Sequence, residues 1–186
     1  MSKRPVPARP GAAGVSARMA EILRVDHAGE LAAVHIYRGH RAVFEAAGKT
    51  AAAARMAELE AHEATHLARF ETLLTDGRVR PTLLAPVWRA AAFTLGVGTG
   101  LIGETAAHAC TEAVENVIEA HYASQIAELA PREPALAAEL AAFRDDELRH
   151  RDEAVAEGAG EAPLHGLLSL VIRAGCRAAI AISERL

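Results

Sequence analysis

Two overlapping patterns with metal-binding chemistry share the five residues "HEATH", from His62 to His66. The first is H-E-x-x-H, in which two histidines one helical turn apart bind Zn²⁺ and the glutamate activates a water molecule. The second is Glu63-x-x-His66, the spacing by which helices of a four-helix bundle direct a carboxylate and an imidazole to a pair of irons. The rest of the chain has to decide between the two.

The second pattern recurs 84 positions later as Glu147-x-x-His150, in "FRDDELRHRDEA". A further glutamate precedes each copy at nearly the same distance. Glu30 lies 33 positions before Glu63. Glu115 lies 32 positions before Glu147. A glutamate followed by E-x-x-H, written twice, is an internal repeat and supplies the carboxylates that a di-iron bundle needs from its other two helices.

The two tyrosines of the chain follow the same repeat, since Tyr37 and Tyr122 each lie seven positions after the first glutamate of their copy. Seven residues are two helical turns, so each tyrosine shares a helix face with its glutamate. Helical periodicity alone does not choose among Glu112, Glu115 and Glu119, which lie on one face. The repeat selects Glu115.

Charge supports a metal at these residues. Four carboxylates and two neutral imidazoles balance two Fe²⁺ ions, whereas the same carboxylates in a metal-free core would repel one another. The sequence therefore predicts a di-iron centre. Its ligands would be Glu30, Glu63, His66, Glu115, Glu147 and His150.

The composition predicts an all-α protein with one domain. The chain has 186 residues, of which 51% are hydrophobic and only 4% aromatic, and its abundant alanine favours helices over strands. The net charge of -4 argues against a nucleic-acid partner. The two cysteines, Cys110 and Cys176, form no C-x-x-C motif and are expected to be reduced.

Capping and helix-breaking residues predict four long helices and a shorter one, preceded by a flexible N-terminal arm over residues 1–16. Ser16 and Thr50 are the expected N-caps of the first two helices. A single domain covers residues 17–186. The expected helices span 17–47, 50–74, 87–130 and 134–157, with the last segment starting at Pro163.

Two segments are unusually apolar, residues 91–103 and the C-terminal segment after Pro163. Neither is expected to span a membrane, because the first is too short and the second carries Arg173 and Arg177. They either pack in the core or lie in a membrane interface. The first also contains G-x-G-x-x-G from Gly98 to Gly103, but no strand precedes it, so close helix contact explains it better than a dinucleotide site.

Several stretches together resemble the demethoxyubiquinone hydroxylase family of ferritin-like di-iron proteins. They are "RVDHAGE", "HEATHLARF", "ACTEAVENVIEAHYASQI", "FRDDELRHRDEA" and "AGCRAAIAISERL". The resemblance implies a ferritin-like four-helix bundle with a di-iron core and an extra C-terminal amphipathic helix. It also implies a monooxygenase that hydroxylates the ring of a demethoxyubiquinol in ubiquinone biosynthesis, with O₂ and NADH-derived electrons.

The resemblance assigns further roles. Glu63 and Glu147 would bridge the irons and act in catalysis, and His121 and Tyr122 would lie near the quinone. His62 is not a ligand in the family. The enzyme would be peripheral to the cytoplasmic face of the inner (cell) membrane. A polyprenyl quinone, the lipid surface and an accessory lipid-binding protein or other ubiquinone-biosynthesis proteins are the partners implied, and homo-oligomerisation stays open.

One position beside the ligands has an expected role of its own. Asp146 comes just before Glu147 and is expected to hydrogen-bond a ligating histidine of a neighbouring helix. The roles of His62, His108 and Glu112 are left open.

Three other functions compete with this interpretation. A ferritin-like or rubrerythrin-like ferroxidase or peroxide scavenger uses a similar ligand set, but has no use for a greasy substrate entrance. A zinc protease of the metzincin type fails because its next ligand positions hold Arg69 and Thr72. A non-catalytic helical bundle would bind a lipid or a protein partner and no metal.

Overall fold

The computed structural model describes residues 15–185, and every regular element within that range is helical. The all-α prediction is confirmed. The predicted N-terminal arm falls almost entirely on residues 1–14, outside the described range. The helices are α1 (Ala17–Ala46), α2 (Thr50–Gly77), α3 (Ala85–Ile102), α4 (Glu104–Leu129), α5 (Pro134–Ala156) and α6 (His165–Ser183), with a 3₁₀ turn at Ala159–Glu161.

The ends of the first two helices test the capping predictions. Ser16 caps α1 as expected, its hydroxyl accepting from the Met19 amide at 3.1 Å. Thr50 does not cap α2; it is the first residue of the helix, and Lys49 occupies the cap position without a side-chain bond. Gly48, with φ +70°, makes the tight turn between α1 and α2. That backbone turn starts α2 without a side-chain cap.

The single long helix predicted over residues 87–130 is wrong, because the chain breaks at Gly103 into α3 and α4. Gly103 has φ +146° and ψ 176°, a conformation that residues with a side chain rarely adopt. The apolar periodicity continues across Gly103, so the sequence pattern did not reveal the break. The break lets α3 leave the bundle axis while α4 continues as a bundle helix.

Helices α1, α2, α4 and α5 form the bundle, with α1 packed on α2 and α4 packed on α5. The remaining two helices lie outside, α3 mainly against α1 and α6 mainly against α4. Each half of the chain therefore contributes a bundle pair followed by an apolar outer helix. The internal repeat seen in the ligand positions extends to the arrangement of helices.

Glycines bring α3 unusually close to α1. A Cβ added at Gly96 would lie 2.1 Å from the backbone oxygen of Ile36. Of the G-x-G-x-x-G glycines, a Cβ added at Gly100 would lie 3.3 Å from Val43 Cβ of α1, Gly98 faces open space and Gly103 ends the helix. The prediction of close helix contact therefore holds for Gly100 and is wrong for Gly98.

Candidate metal centre

Six carboxylate and imidazole side chains converge in the middle of the bundle, one from each of α1 and α4 and two from each of α2 and α5. Each is at most 6% exposed. The burial follows from helix geometry, since residues three apart on α2 and on α5 point to the same side. The six are Glu30, Glu63, His66, Glu115, Glu147 and His150.

The six residues form two overlapping groups, and Glu63 and Glu147 belong to both. One group adds Glu30 and His66 to this shared pair, and its ligand atoms all lie within 4.8 Å of one another. The other adds Glu115 and His150 within the same limit. Two metal positions with two shared carboxylates fit this arrangement.

The polar atoms turned towards the centre have no hydrogen-bond partner among the described residues. Buried polar atoms are nearly always paired, so a set of orphans at one place points to a bound group. Both oxygens of Glu63 and Glu147, one oxygen each of Glu30 and Glu115, and the Nδ1 atoms of both histidines make up the set. Oxygen and imidazole donors without a thiolate suit iron rather than a structural zinc site.

The imidazoles lie at the edges of the two shared carboxylates. His66 Nδ1 is 3.2 Å from Glu147 Oε1 and 3.6 Å from Glu63 Oε2. His150 Nδ1 is 2.9 Å from Glu63 Oε1 and 3.4 Å from Glu147 Oε2. Each histidine therefore presents the same nitrogen to the centre, and a cation between these atoms would replace proton-mediated contacts.

Neighbouring side chains hold the cluster from outside. Asp146 Oδ2 lies 3.2 Å from His66 Nε2, which is the contact expected from the sequence. It sets Nδ1 of that ring as the nitrogen free to bind a metal. Tyr37 donates to Glu115 at 2.6 Å and Tyr122 donates to Glu30, so each tyrosine serves the glutamate of the other repeat.

Burial and mutual charge shift the pKa values of the cluster in opposite directions. Burial first, and then neighbouring carboxylates, raise the pKa of Glu30 and of Glu115 well above the ordinary value. Against the effect of burial, the close imidazoles of His150 and His66 lower the pKa of Glu63 to about 2. Also against burial, the close carboxylates of Glu147 and Glu63 raise the pKa of His150 to about 9. Without a cation the cluster retains protons that divalent metal ions would displace.

The structure separates the other acidic candidates from the centre. Glu112 accepts from His165 of α6 at 2.8 Å, and Glu119 pairs with Arg144 at 3.4 Å. The repeat therefore pointed to the one glutamate of the three that lies in the cluster.

The two histidines left without a role lie outside the six. The His108 Nε2 atom lies 3.3 Å from Glu157. The His62 ring lies beside both cluster histidines, with ring centroids 5.0 Å from His66 and 4.9 Å from His150. The His62 side chain is 40% exposed, so it marks the solvent edge of the centre between α2 and α5.

A cavity of about 410 Å³ lies on the other side of the centre, between α1, α3, α4 and α6. Its wall is largely apolar and includes Trp88, but Glu30, Tyr122 and His121 line it as well. Residues of both outer helices that border the cavity, Ala91 on α3 and Val171 on α6, are exposed at the surface. The cavity therefore opens between α3 and α6 and reaches a carboxylate of the cluster.

Asp26 and Gln125 at the cavity are polar residues that sequence reasoning missed. Gln125 Nε2 donates to Asp26 Oδ1 at 2.7 Å and lies 2.9 Å from His121 Nε2. Burial raises the pKa of Asp26 to about 8 and lowers that of His121. Spacing offered a signal for both: Asp26 lies one turn before Glu30, and Gln125 one turn after His121.

Apolar side chains are exposed on the two outer helices that border the cavity. On α3 they are Val87, Leu101 and Ile102, and on or beside α6 they are Leu164, Leu167, Leu170 and Val171. By length and composition alone, α6 could cross a membrane, and 17% of its apolar window is buried in the protein. The prediction that it does not span stays a prediction.

Comparison with known proteins gives one family. The model of the family described as ubiquinone biosynthesis protein COQ7 matches residues 17–183. The chain is 46% identical over 176 residues to the 3-demethoxyubiquinol 3-hydroxylase of Rhodospirillum rubrum, covering 95% of this chain and 82% of that protein. It is 44% identical over 169 residues to the human mitochondrial NADPH-dependent 3-demethoxyubiquinone 3-hydroxylase, covering 89% and 76%.

Proposed function

The chain belongs to the family of the ubiquinone biosynthesis protein COQ7 and is a demethoxyubiquinol hydroxylase, and we propose that its six-residue cluster holds two iron ions for this reaction. The observation that carries the proposal is the set of buried, unpaired carboxylate and imidazole atoms shared between two groups. The alternative of a ferroxidase or peroxide scavenger is not favoured, because the relatives are named as hydroxylases of a demethoxyubiquinol or demethoxyubiquinone.

In this proposal Glu63 and Glu147 bridge the two metal positions, and the remaining four residues each serve one position. Two irons held in this way would supply O₂ activation, by which one oxygen atom would enter the quinol ring and the other would leave as water with two electrons from the reductant and two protons. Tyr37 and Tyr122 hold the outer oxygens of Glu115 and Glu30 by hydrogen bonds. These bonds leave the second oxygen of each terminal carboxylate for a metal.

We place the quinol ring at the inner end of the cavity. His121 and Tyr122 border that end beside Glu30, and His121 can hydrogen-bond a ring oxygen. The apolar wall excludes water from the reacting carbon, and the polyprenyl tail leaves between α3 and α6. A mostly apolar cavity with a few convergent polar groups is the usual form of a site for such a ligand.

The exposed apolar residues around the mouth support a peripheral membrane enzyme. A quinone with a long tail resides in the bilayer, so an entrance bordered by apolar helices should face lipid. Leu170 on α6 is 59% exposed and Val155 on α5 is 51% exposed. We expect Leu170→Glu to reduce co-sedimentation with phospholipid vesicles roughly tenfold. Val155→Glu, the same change on the bundle, should leave it unchanged, and equal losses would contradict this orientation.

Localisation at the cytoplasmic face of the cell membrane belongs to the same proposal. Relatives in eukaryotes are named as mitochondrial. An accessory lipid-binding protein, other ubiquinone-biosynthesis proteins or a second copy of the chain are the partners that the apolar surface would accept.

The electrons come from a reduced nicotinamide nucleotide in this proposal, with NADH as the expected source. Several relatives are named as NADPH-dependent. The described residues contain no βαβ unit around a glycine-rich loop, so the nucleotide would act through a shallow surface site or through the quinone. Turnover with NADH and with NADPH, each as sole reductant, distinguishes the two donors.

Iron per chain and quinol-dependent O₂ consumption test the proposal together. His150→Ala and Glu115→Ala should abolish turnover and lower the iron content to about one per chain, since each removes a buried ligand from one of the two positions. Glu119→Ala is the matched control, because it removes a glutamate of the same helix outside the cluster. Iron content and turnover like those of the unmodified protein in both ligand variants would refute the assignment. Iron uptake driven by peroxide, without quinol turnover, would instead support the ferroxidase alternative.

A further inference from the structure

The polar end of the cavity contains a chain of hydrogen bonds that leads away from the metal cluster. Asp26 on α1 accepts from Gln125 of α4 at 2.7 Å, and the same Gln125 nitrogen lies 2.9 Å from His121 Nε2. The direct separation of Asp26 Oδ1 from His121 Nε2 is 3.7 Å. Gln125 therefore connects a buried carboxyl group to the histidine at the cavity wall.

The donors and acceptors in this chain are fixed by the residue at its buried end. A carboxyl oxygen of Asp26 accepts, so the Gln125 amide turns its NH₂ group towards it. The second hydrogen of that NH₂ group then points at His121 Nε2, which has to accept. The Gln125 Oε1 atom is left buried without a partner among the described residues. Its orientation is thus held by Asp26 and not by a bond of its own oxygen.

The consequence falls on the other nitrogen of the His121 ring. A neutral imidazole that accepts at Nε2 carries its hydrogen on Nδ1. His121 Nδ1 makes no hydrogen bond with a described residue. It is also not among the fully buried polar atoms that lack a partner, so it is accessible. His121 lines the cavity, so its Nδ1–H is the donor available to a ligand there.

We propose that Asp26 and Gln125 are positioning residues for His121, which they hold with Nδ1–H free to donate to an oxygen on the ring of the quinol. This inference rests on the proposed function, because it requires the ring to occupy the cavity. It adds to that function a reason for a buried Asp26 in a largely apolar cavity wall and for the buried Gln125 that it bonds. Asp26 has this role in its ionised form, in which Oδ1 can only accept, so binding is measured above pH 8, where a carboxyl group whose pKa burial raises to about 8 is ionised.

A double-mutant cycle tests whether Asp26 acts through His121. The variants are Asp26→Asn, His121→Asn and their combination, each in the iron-loaded protein. An Asn at position 26 can pair with Gln125 in either amide orientation, so the tautomer of His121 is no longer fixed. Trp88 is the only tryptophan of the chain and lines the cavity. Quenching of its fluorescence by a short-tailed demethoxyubiquinone reports binding, and O₂ consumption gives KM and kcat.

We expect each single change to weaken binding of the analogue and raise KM about tenfold, which is the usual loss for one hydrogen bond. The combined variant should be no weaker than His121→Asn alone, because the effect of Asp26 passes through the missing ring. Iron content should not change. Asp76→Asn, the same chemical change at an exposed residue, should bind and turn over normally.

The same tenfold loss from Asp26→Asn with and without His121 would overturn the inference, as would unchanged binding in Asp26→Asn. If Asp26→Asn does not fold, Gln125→Met gives the same test, because methionine fills the space without donating. Failure of the unmodified, iron-loaded protein to bind or turn over the analogue would refute the proposed function itself. The two failures are therefore distinguishable.

Discussion

Replacing a shared carboxylate and replacing an unshared one should give different numbers of bound irons. Glu63 belongs to both groups of ligand atoms, whereas Glu30 belongs to one. Glu63→Ala therefore removes a ligand from both positions, and Glu30→Ala leaves the position of Glu115 and His150 complete. We expect about two irons per chain in the unmodified protein, about one in Glu30→Ala and close to none in Glu63→Ala.

The magnitude follows from the number of ligands lost. Each position has four residues, and loss of a partner that only orients a ligand already lowers metal affinity about 10- to 100-fold. Loss of the ligand itself should cost at least about 100-fold at each position that it serves. Equilibrium dialysis against Fe²⁺ at a concentration near the dissociation constant of the unmodified protein resolves these differences. Thermal unfolding of each metal-free variant controls for damage to the bundle.

Equal iron loss in Glu30→Ala and Glu63→Ala would refute the reasoning. That result would mean that the irons bind only as a pair, or that Glu63 does not bridge them. Retention of two irons in Glu63→Ala would remove Glu63 from the ligand set.

Three further predictions concern other parts of the molecule. Asp146→Asn should weaken iron binding about 10- to 100-fold at the position of His66 alone, measured by the same dialysis. Gly96→Ala should destabilise the fold by about 1–3 kcal/mol in urea unfolding, because its Cβ would enter the backbone of α1, whereas Gly98→Ala should stabilise it by about 0.5–1 kcal/mol. Because burial raises the pKa of Asp26 to about 8, the folded state keeps a proton on Asp26 that the unfolded state has already lost at pH 5. The free energy of unfolding should therefore fall as pH rises from 5 to 8. Asp26→Asn should reduce that fall, and an unchanged pH slope in unfolding experiments would contradict it.

The cluster of six buried side chains was predictable because its members obey a repeat. One E-x-x-H motif occurs easily on a solvent-exposed helix, but the second copy fixed which glutamates face the core. The same comparison separated Glu115 from Glu112, which helical periodicity could not do. The role of Asp146 beside His66 was also predictable, since a ligating imidazole needs a partner for its second nitrogen.

Local conformation was less predictable than the metal cluster. The break at Gly103 depends on one backbone conformation within a continuous apolar pattern, and glycine is tolerated inside helices as well as at their ends. Thr50 has the right chemistry for a cap, yet the turn at Gly48 starts the helix one residue earlier than a cap at Thr50 would. Both errors arise where backbone conformation determines the end of a helix and side-chain patterns carry little information about it.

Asp26 and Gln125 were missed for a different reason, which is that this side of the molecule departs from the repeat, and His121 was predicted from the family resemblance alone. His121 lies just before one tyrosine, and the equivalent position in the other half is Ile36, an apolar core residue. Gln125 lies three residues after that tyrosine, and its counterpart His40 is bound instead to Thr99 of α3 at 2.7 Å. In the first half, α3 packs tightly on α1, and Thr99 of α3 bonds to the polar side chain of His40. In the second half His121 borders the open cavity and Gln125 contacts His121. The six proposed metal ligands follow the symmetry of the duplicated chain, whereas His121 and Gln125 at the polar end of the cavity depart from it, so reasoning from the repeat finds the first set and overlooks the second.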